Sequence, residues 1–136
     1  MFGRATQVAI AVMSCLAEGH GNGVRLSAAT ISRDRDLPRP FVGKVLSTLS
    51  MAGLVTSVRG PGGGFALAKP PDQICLMDVV TLFERSLGSR TCLVGGGICS
   101  DGHPCPVHQR FGAVQQAADD LLRETTFAVF QSRGPI

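Results

Sequence analysis

Three of the five cysteines in this 136-residue chain, and two of its three histidines, fall within one stretch of 17 residues, CLVGGGICSDGHPCPVH, running from Cys92 to His108. Thiolate and imidazole are the ligands of zinc and of iron–sulfur clusters, and the spacing C-x6-C-x5-C-x2-H offers Cys92, Cys99, Cys105 and His108 as one donor set. The intervening glycines let a backbone wrap a centre without side-chain clashes. Structural zinc sites favour a C-x2-C knuckle, whereas here only Cys105 and His108 lie that close. A CCCH finger for RNA would need a three-residue final spacing and stacking aromatics, both absent. The spacing therefore favours an iron–sulfur cluster over zinc, with a thiol redox pair as the third chemistry. Asp101 and His103 read as ordinary loop residues, and Cys15 and Cys75, each among apolar neighbours, as inert thiols.

The remaining residues must position that stretch. The length is that of one domain with one modest core, too short for a two-domain enzyme. Without Trp or Tyr and with seven Phe, the core must be built from Leu, Val, Ile, Ala and Met. No apolar run approaches the ~20 residues that span a bilayer, and no charged segment followed by an apolar run opens the chain. The expectation is a cytoplasmic protein with no membrane partner, in which clustered cysteines serve metal or redox chemistry rather than disulfides. Charge is divided unevenly. Residues 1–69 carry eight Lys and Arg against three acids, a surplus of +5, while residues 70–136 carry five against seven. A basic N-terminal half faces a polyanion.

Periodicity places the elements. Val8, Val12 and Leu16 recur at helical spacing and end at a glycine-rich stretch. GVRL (23–26) reads as a short strand before Ser27, an N-cap for the helix AATISRDR. In RPFVGKVLSTLSMAG, Pro40 suits a first helical turn and Gly53 a left-handed exit, with Phe41, Val42, Val45, Leu46 and Leu49 forming the apolar face. Arg39, Lys44, Ser47 and Thr48 are left on the other faces, where each can contact phosphate or, for the two cations, a base edge. Two short helices so separated read as a helix-turn-helix. Leu54–Val58 and Phe65–Ala68 flank RGPGGG as a hairpin whose loop looks too glycine-rich to be rigid, with Arg59 placed to enter a minor groove. Leu76, Val79, Val80 and Phe83 predict a further helix. Finally Val107, Phe111, Val114, Ala118, Leu121, Thr125 and Ala128 form an a/d seam over three heptads, read as a homodimer interface.

The wing GLVTSVRGPGGGFALAKP, the helix-turn-helix ISRDRDLPRPFVGKVLSTLSMAGLV and the three-cysteine loop together resemble the iron–sulfur winged helix-turn-helix regulators of the IscR, NsrR and RirA type, the Rrf-two family. The resemblance runs from Ala5 to about Leu122. It implies a mainly α fold with a small β-hairpin wing, in which residues 1–85 form a winged helix-turn-helix, 86–106 a cluster-binding loop, and 107–136 a dimerisation helix and tail. It further implies a homodimer on a palindromic double-stranded DNA operator, contacted by Arg39, Phe41, Lys44, Thr48, Arg59, Gly60, Pro61 and Gly62. Cys92, Cys99 and Cys105 match the family's thiolate ligands, and His108 the histidine of IscR-type 2Fe-2S sites. Imidazole in place of thiolate raises the potential of such a site and makes one ligand protonatable. The loop holds one residue more between its first two cysteines than IscR-type loops do, which keeps 4Fe-4S open. Some members take a ligand from the first helix, where Gln7 stands here; a carboxamide is a poor ligand, which favours His108. Gly43, where relatives often carry a longer side chain, costs the helix about 1 kcal/mol relative to Ala. It serves either close approach to DNA or a crowded contact.

The expected function is a cluster-sensing transcriptional regulator, a repressor by preference, with a cluster-free thiol switch or a zinc-stabilised nucleic-acid binder as alternatives. An enzyme is not expected: no nucleophile set, carboxylate pair or Walker loop is present, since GPGGG lacks the GK[ST] ending.

Overall fold

The computed structural model describes residues 2–84 and 106–131. Its centre is α1 (Arg4–Glu18), in which Val8, Ala9, Val12, Met13, Leu16 and Ala17 are all buried. A helix apolar around most of its circumference must be covered from several sides. Here α3 (Arg39–Met51), α4 (Leu76–Phe83) and a C-terminal 3-10 turn (Phe127–Phe130) do so. The first turn of α1 has no capping side chain of its own at Gly3. Glu84, just beyond α4, fills that role: its Oε2 accepts the Gly3 N–H at 3.1 Å and the hydroxyl of the fully buried Thr6. A carboxylate at a helix N-terminus satisfies orphan donors and complements the dipole.

The second helix, α2 (Ala28–Arg35), begins as expected on Ser27, whose Oγ accepts the Thr30 N–H at 3.1 Å. Asp36 then turns left-handed at φ 52°, and Leu37 donates its N–H back to Ser32 O at 2.9 Å. That sharp exit sets α3 against α2, burying Ile31 with Val42, Val45, Leu46 and Leu49. Pro40 lies in the first turn of α3, and Gly53 leaves it at φ 81°.

Strands β1 (Val55–Val58) and β2 (Gly64–Leu67) pair antiparallel, from Val55 opposite Leu67 to Val58 opposite Gly64. Val55 and Leu67 are buried at the root of the hairpin. The strand expected over residues 23–26 is reduced to one bridge, in which Leu26 and Phe65 exchange hydrogen bonds of 2.9 and 2.7 Å. The loop contains one hydrogen-bonded turn. Gly63 N–H donates to Gly60 O at 2.9 Å across Pro61 and Gly62, and Gly62 has φ 75°, the signature of a type II turn. Gly64 has φ 134°, and a Cβ there would lie 2.7 Å from Leu26 O. Gly64→Ala is therefore expected to cost about 1–3 kcal/mol in urea unfolding. Gly43→Ala, whose Cβ would meet nothing within 4 Å inside a helix, should stabilise by about 1 kcal/mol. Equal effects of the two substitutions would contradict this geometry.

A 3-10 turn (Pro71–Gln73) leads to α4, where Asp78 accepts the Cys75 N–H at 3.0 Å. Helix α5 (His108–Glu124) corrects the expected three-heptad seam. The helix stops at Glu124; Thr125 O accepts the Leu76 N–H, and Phe127 N–H donates to Ile74 O, both at 2.9 Å. Thr125 and Ala128 continue the a/d spacing in sequence but lie off the helix, because the chain turns inward to seat Phe127, which is completely buried. Among the described residues there are five α-helices, and none is long and apolar enough to cross a membrane.

Candidate nucleic-acid interface

Helix α3 shows two faces. Val42, Val45, Leu46 and Leu49 are buried, while Arg39, Pro40, Gly43, Lys44, Ser47 and Met51 are exposed. Phe41, expected at the DNA, is half-buried and packs against the core. Its place in the apolar stripe accounts for it, since the first turn of α3 must be anchored for the exposed face to have a fixed direction. Thr48 is likewise half-buried, and its Oγ1 donates to Lys44 O at 3.3 Å. Gly43 lies over open space, so crowding does not explain it.

The basic residues divide by partner. Arg35 pairs with Glu18 at 2.8 Å and reaches Ser14 Oγ at 3.5 Å. Arg25 braces the wing, donating from Nη1 to Thr56 Oγ1 at 3.2 Å and Thr56 O at 3.4 Å. Arg33 meets Asp34 at 3.5 Å. By contrast, Arg39, Lys44 and Arg59 are exposed and form no ion pair among the described residues. The cations committed to structure and those left free were indistinguishable in sequence. The outer face of α3 and the hairpin, where Arg59, Gly60, Pro61 and Gly62 are all exposed, thus carry three of the cations without an ion pair among the described residues; Arg4, Lys69, Arg110 and Arg123 are the others that are exposed. Helix and hairpin are joined through Leu54 and Val55, buried in the same core, so the two basic surfaces are attached to one packed core.

Cys92, Cys99 and Cys105 lie outside the described residues, as do Asp101 and His103. His108 is the first residue of α5, with its side chain not described. Among the described residues no group of three His, Cys, Asp or Glu side chains could hold a metal ion. Cys15 is buried and Cys75 half-buried, and both are free thiols. Burial pushes the Cys15 thiol pKa up, against the opposing pull of Arg35, and the residue packs in the core as a small buried side chain. Gln7 donates its Nε2 to Phe2 O at 3.1 Å.

Known proteins share this architecture. Over 98 residues the chain is 39% identical to an HTH-type transcriptional regulator named in Aquifex aeolicus, covering 71% of this chain and 68% of that protein. It is 31% identical over 109 residues to the HTH-type transcriptional regulator IscR of Erwinia tasmaniensis, covering 80% and 66% respectively. Among solved structures, CymR, the global cysteine regulator of B. subtilis, superposes with a TM-score of 0.81 at 24% identity over 99% of this chain and 98% of that one. IscR of T. potens does so with a TM-score of 0.73 at 24% identity over 94% and 83%. These likenesses identify a winged-helix fold, and relatives named as transcriptional regulators place the chain among non-enzymes. Residues 2–132 match the model of the Rrf2 family, described as an iron-dependent transcriptional regulator, and the chain belongs to that family of DNA-binding transcriptional regulators.

Proposed function

We propose that this chain is a homodimeric repressor that binds a palindromic operator through α3 and the wing, with affinity set by an iron–sulfur cluster in the loop before α5. The observation that carries the DNA half is the unpaired basic face: Arg39 and Lys44 on α3 and Arg59 at the hairpin are exposed while neighbouring arginines are bound to acids or backbone. A recognition helix enters the major groove, and an Arg on a hairpin suits the focused negative potential of a narrow minor groove. The dimer reading is supported by Val114 and Leu121, 54% and 60% exposed on α5 at seam positions that no other described residue covers fully.

The donor set Cys92, Cys99, Cys105 and His108 fits a cluster chemically: three thiolates and one imidazole suit 2Fe-2S, and 4Fe-4S with a different fourth ligand. When bound, such a cluster supplies a centre whose charge and persistence respond to iron, oxidant or nitric oxide. Helix α5 begins at His108 and packs on α4, and Glu84 ties the end of α4 to the first turn of α1. Order in the loop can thereby bias the helix-turn-helix, the two-state coupling that regulation requires.

The likeness to CymR favours a second reading, a cluster-free regulator. Cys15 is buried with its thiol pKa raised, which leaves the three loop cysteines and the half-buried Cys75 as the thiols for such a switch.

Anaerobic purification followed by visible absorption and by iron, sulfide and zinc analysis separates these readings. The expected protein is red-brown with iron and sulfide in equal amounts, and loses colour on Cys99→Ala. A colourless chain holding one zinc sinks the iron–sulfur reading in favour of zinc; a colourless metal-free chain favours the thiol switch. Loss of colour on His108→Ala assigns the fourth ligand, and an unchanged spectrum moves it elsewhere.

A further inference from the structure

On the outer face of α3, positions at i, i+3, i+4 and i+7 share one stripe. Here they are Pro40, Gly43, Lys44 and Ser47, and all four are exposed. Pro40 and Gly43 offer no hydrogen-bonding side chain, and Lys44 is a flexible point charge. Of the two hydroxyls near the end of the stripe, Thr48 is half-buried with Oγ1 donating to Lys44 O at 3.3 Å. Ser47 Oγ makes no hydrogen bond among the described residues. Directly N-terminal to it on the stripe lies Gly43, over which nothing stands within 4 Å, so a groove wall can approach the helix backbone closely enough for a one-carbon side chain to reach a base edge.

From this placement we propose that Ser47, rather than Thr48, is the neutral side chain through which α3 reads a base pair in the major groove. This rests on the reading that α3 enters duplex DNA. A hydroxyl can donate to or accept from either base of a pair, so the contact discriminates modestly. Specificity at that position should amount to about three- to tenfold, the worth of one neutral hydrogen bond. Arg39 and Lys44 then supply charge, and the bare Pro40–Gly43 surface leaves the neighbouring base pairs weakly read.

The test uses the full chain, purified anaerobically, and a pool of random-sequence 30-base-pair duplexes selected through several rounds at fixed salt. Wild type is expected to enrich a two-fold motif. Ser47→Ala should flatten the preference at one base pair in each half-site by about three- to tenfold. Ser47→Thr, which keeps the hydroxyl, should retain that preference, and Thr48→Ala should leave the motif intact. Thermal unfolding midpoints matching wild type would confirm that these surface variants are folded. A motif unchanged in Ser47→Ala, or flattened at the same position in Thr48→Ala, overturns the assignment while DNA binding stands. Retention of no duplex by the wild type, at low salt and in either cluster state, overturns the DNA-binding reading and this assignment with it.

Discussion

Replacing Phe127 with alanine should destabilise the chain by about 3–5 kcal/mol, the range for truncating a fully buried phenylalanine. Phe127 is 0% exposed and heads the largest fully buried side chains. It enters the core beside α1 from the C-terminal 3-10 turn, with the ring of Phe130 at a centroid distance of 5.8 Å. Its backbone N–H is held by Ile74 O at 2.9 Å, so the segment is pinned and the core can relax little into the space left behind. Domains of this size have total stabilities of about 5–15 kcal/mol. One substitution remote from every proposed contact should thus bring the protein near its unfolding threshold. Urea titration would show a lowered midpoint with little change of slope. Phe130→Ala, at a half-buried position, should cost less. A loss below 1 kcal/mol for Phe127→Ala would mean that this turn is not docked on α1 as described.

Lys44→Gln should weaken duplex binding and flatten its salt dependence, which makes the role of the α3 face measurable without knowing the operator. Each phosphate neutralised by a cation contributes about 0.9 to the slope of log affinity against log salt. A homodimer presents Lys44 twice, so the slope should fall by about 2. Between 50 and 200 mM salt that corresponds to about a tenfold smaller loss of affinity. Arg35→Gln provides the contrast: its guanidinium is already paired with Glu18 at 2.8 Å, and removing it should leave the salt slope unchanged. Fluorescence anisotropy of a labelled duplex at four salt concentrations decides the matter. An unchanged slope in Lys44→Gln would remove Lys44 from the phosphate contacts.

Several sequence readings failed where two distant segments compete for the same groups. Serine caps, prolines in first turns and apolar stripes act between neighbours, so Ser27, Pro40, Gly53 and the Phe41–Leu49 stripe marked their helix without knowledge of the rest. The hairpin was legible for the same reason, from two β-compatible runs around turn residues. Other partners are far apart in sequence: Glu84 caps a helix beginning about eighty residues earlier, and Leu26 bridges Phe65. The a/d spacing ran on past Glu124 in sequence, yet burial of Phe127 outweighed helix continuation. Thr48 and Ser47 are adjacent polar residues that only the angle of α3 to its core could tell apart.

By itself the sequence determined the local elements, the helix-turn-helix and its wing, and the uneven charge, and it supplied Cys92, Cys99, Cys105 and His108 as the donors of the proposed cluster, because spacing and residue type are written directly in the chain. Tertiary structure alone decided which cations remain unpaired, where α5 ends, why Gly64 admits no side chain and which hydroxyl of α3 faces outward. Those outcomes follow from packing between segments distant in sequence, which decides the groups that are paired and the groups that stay exposed.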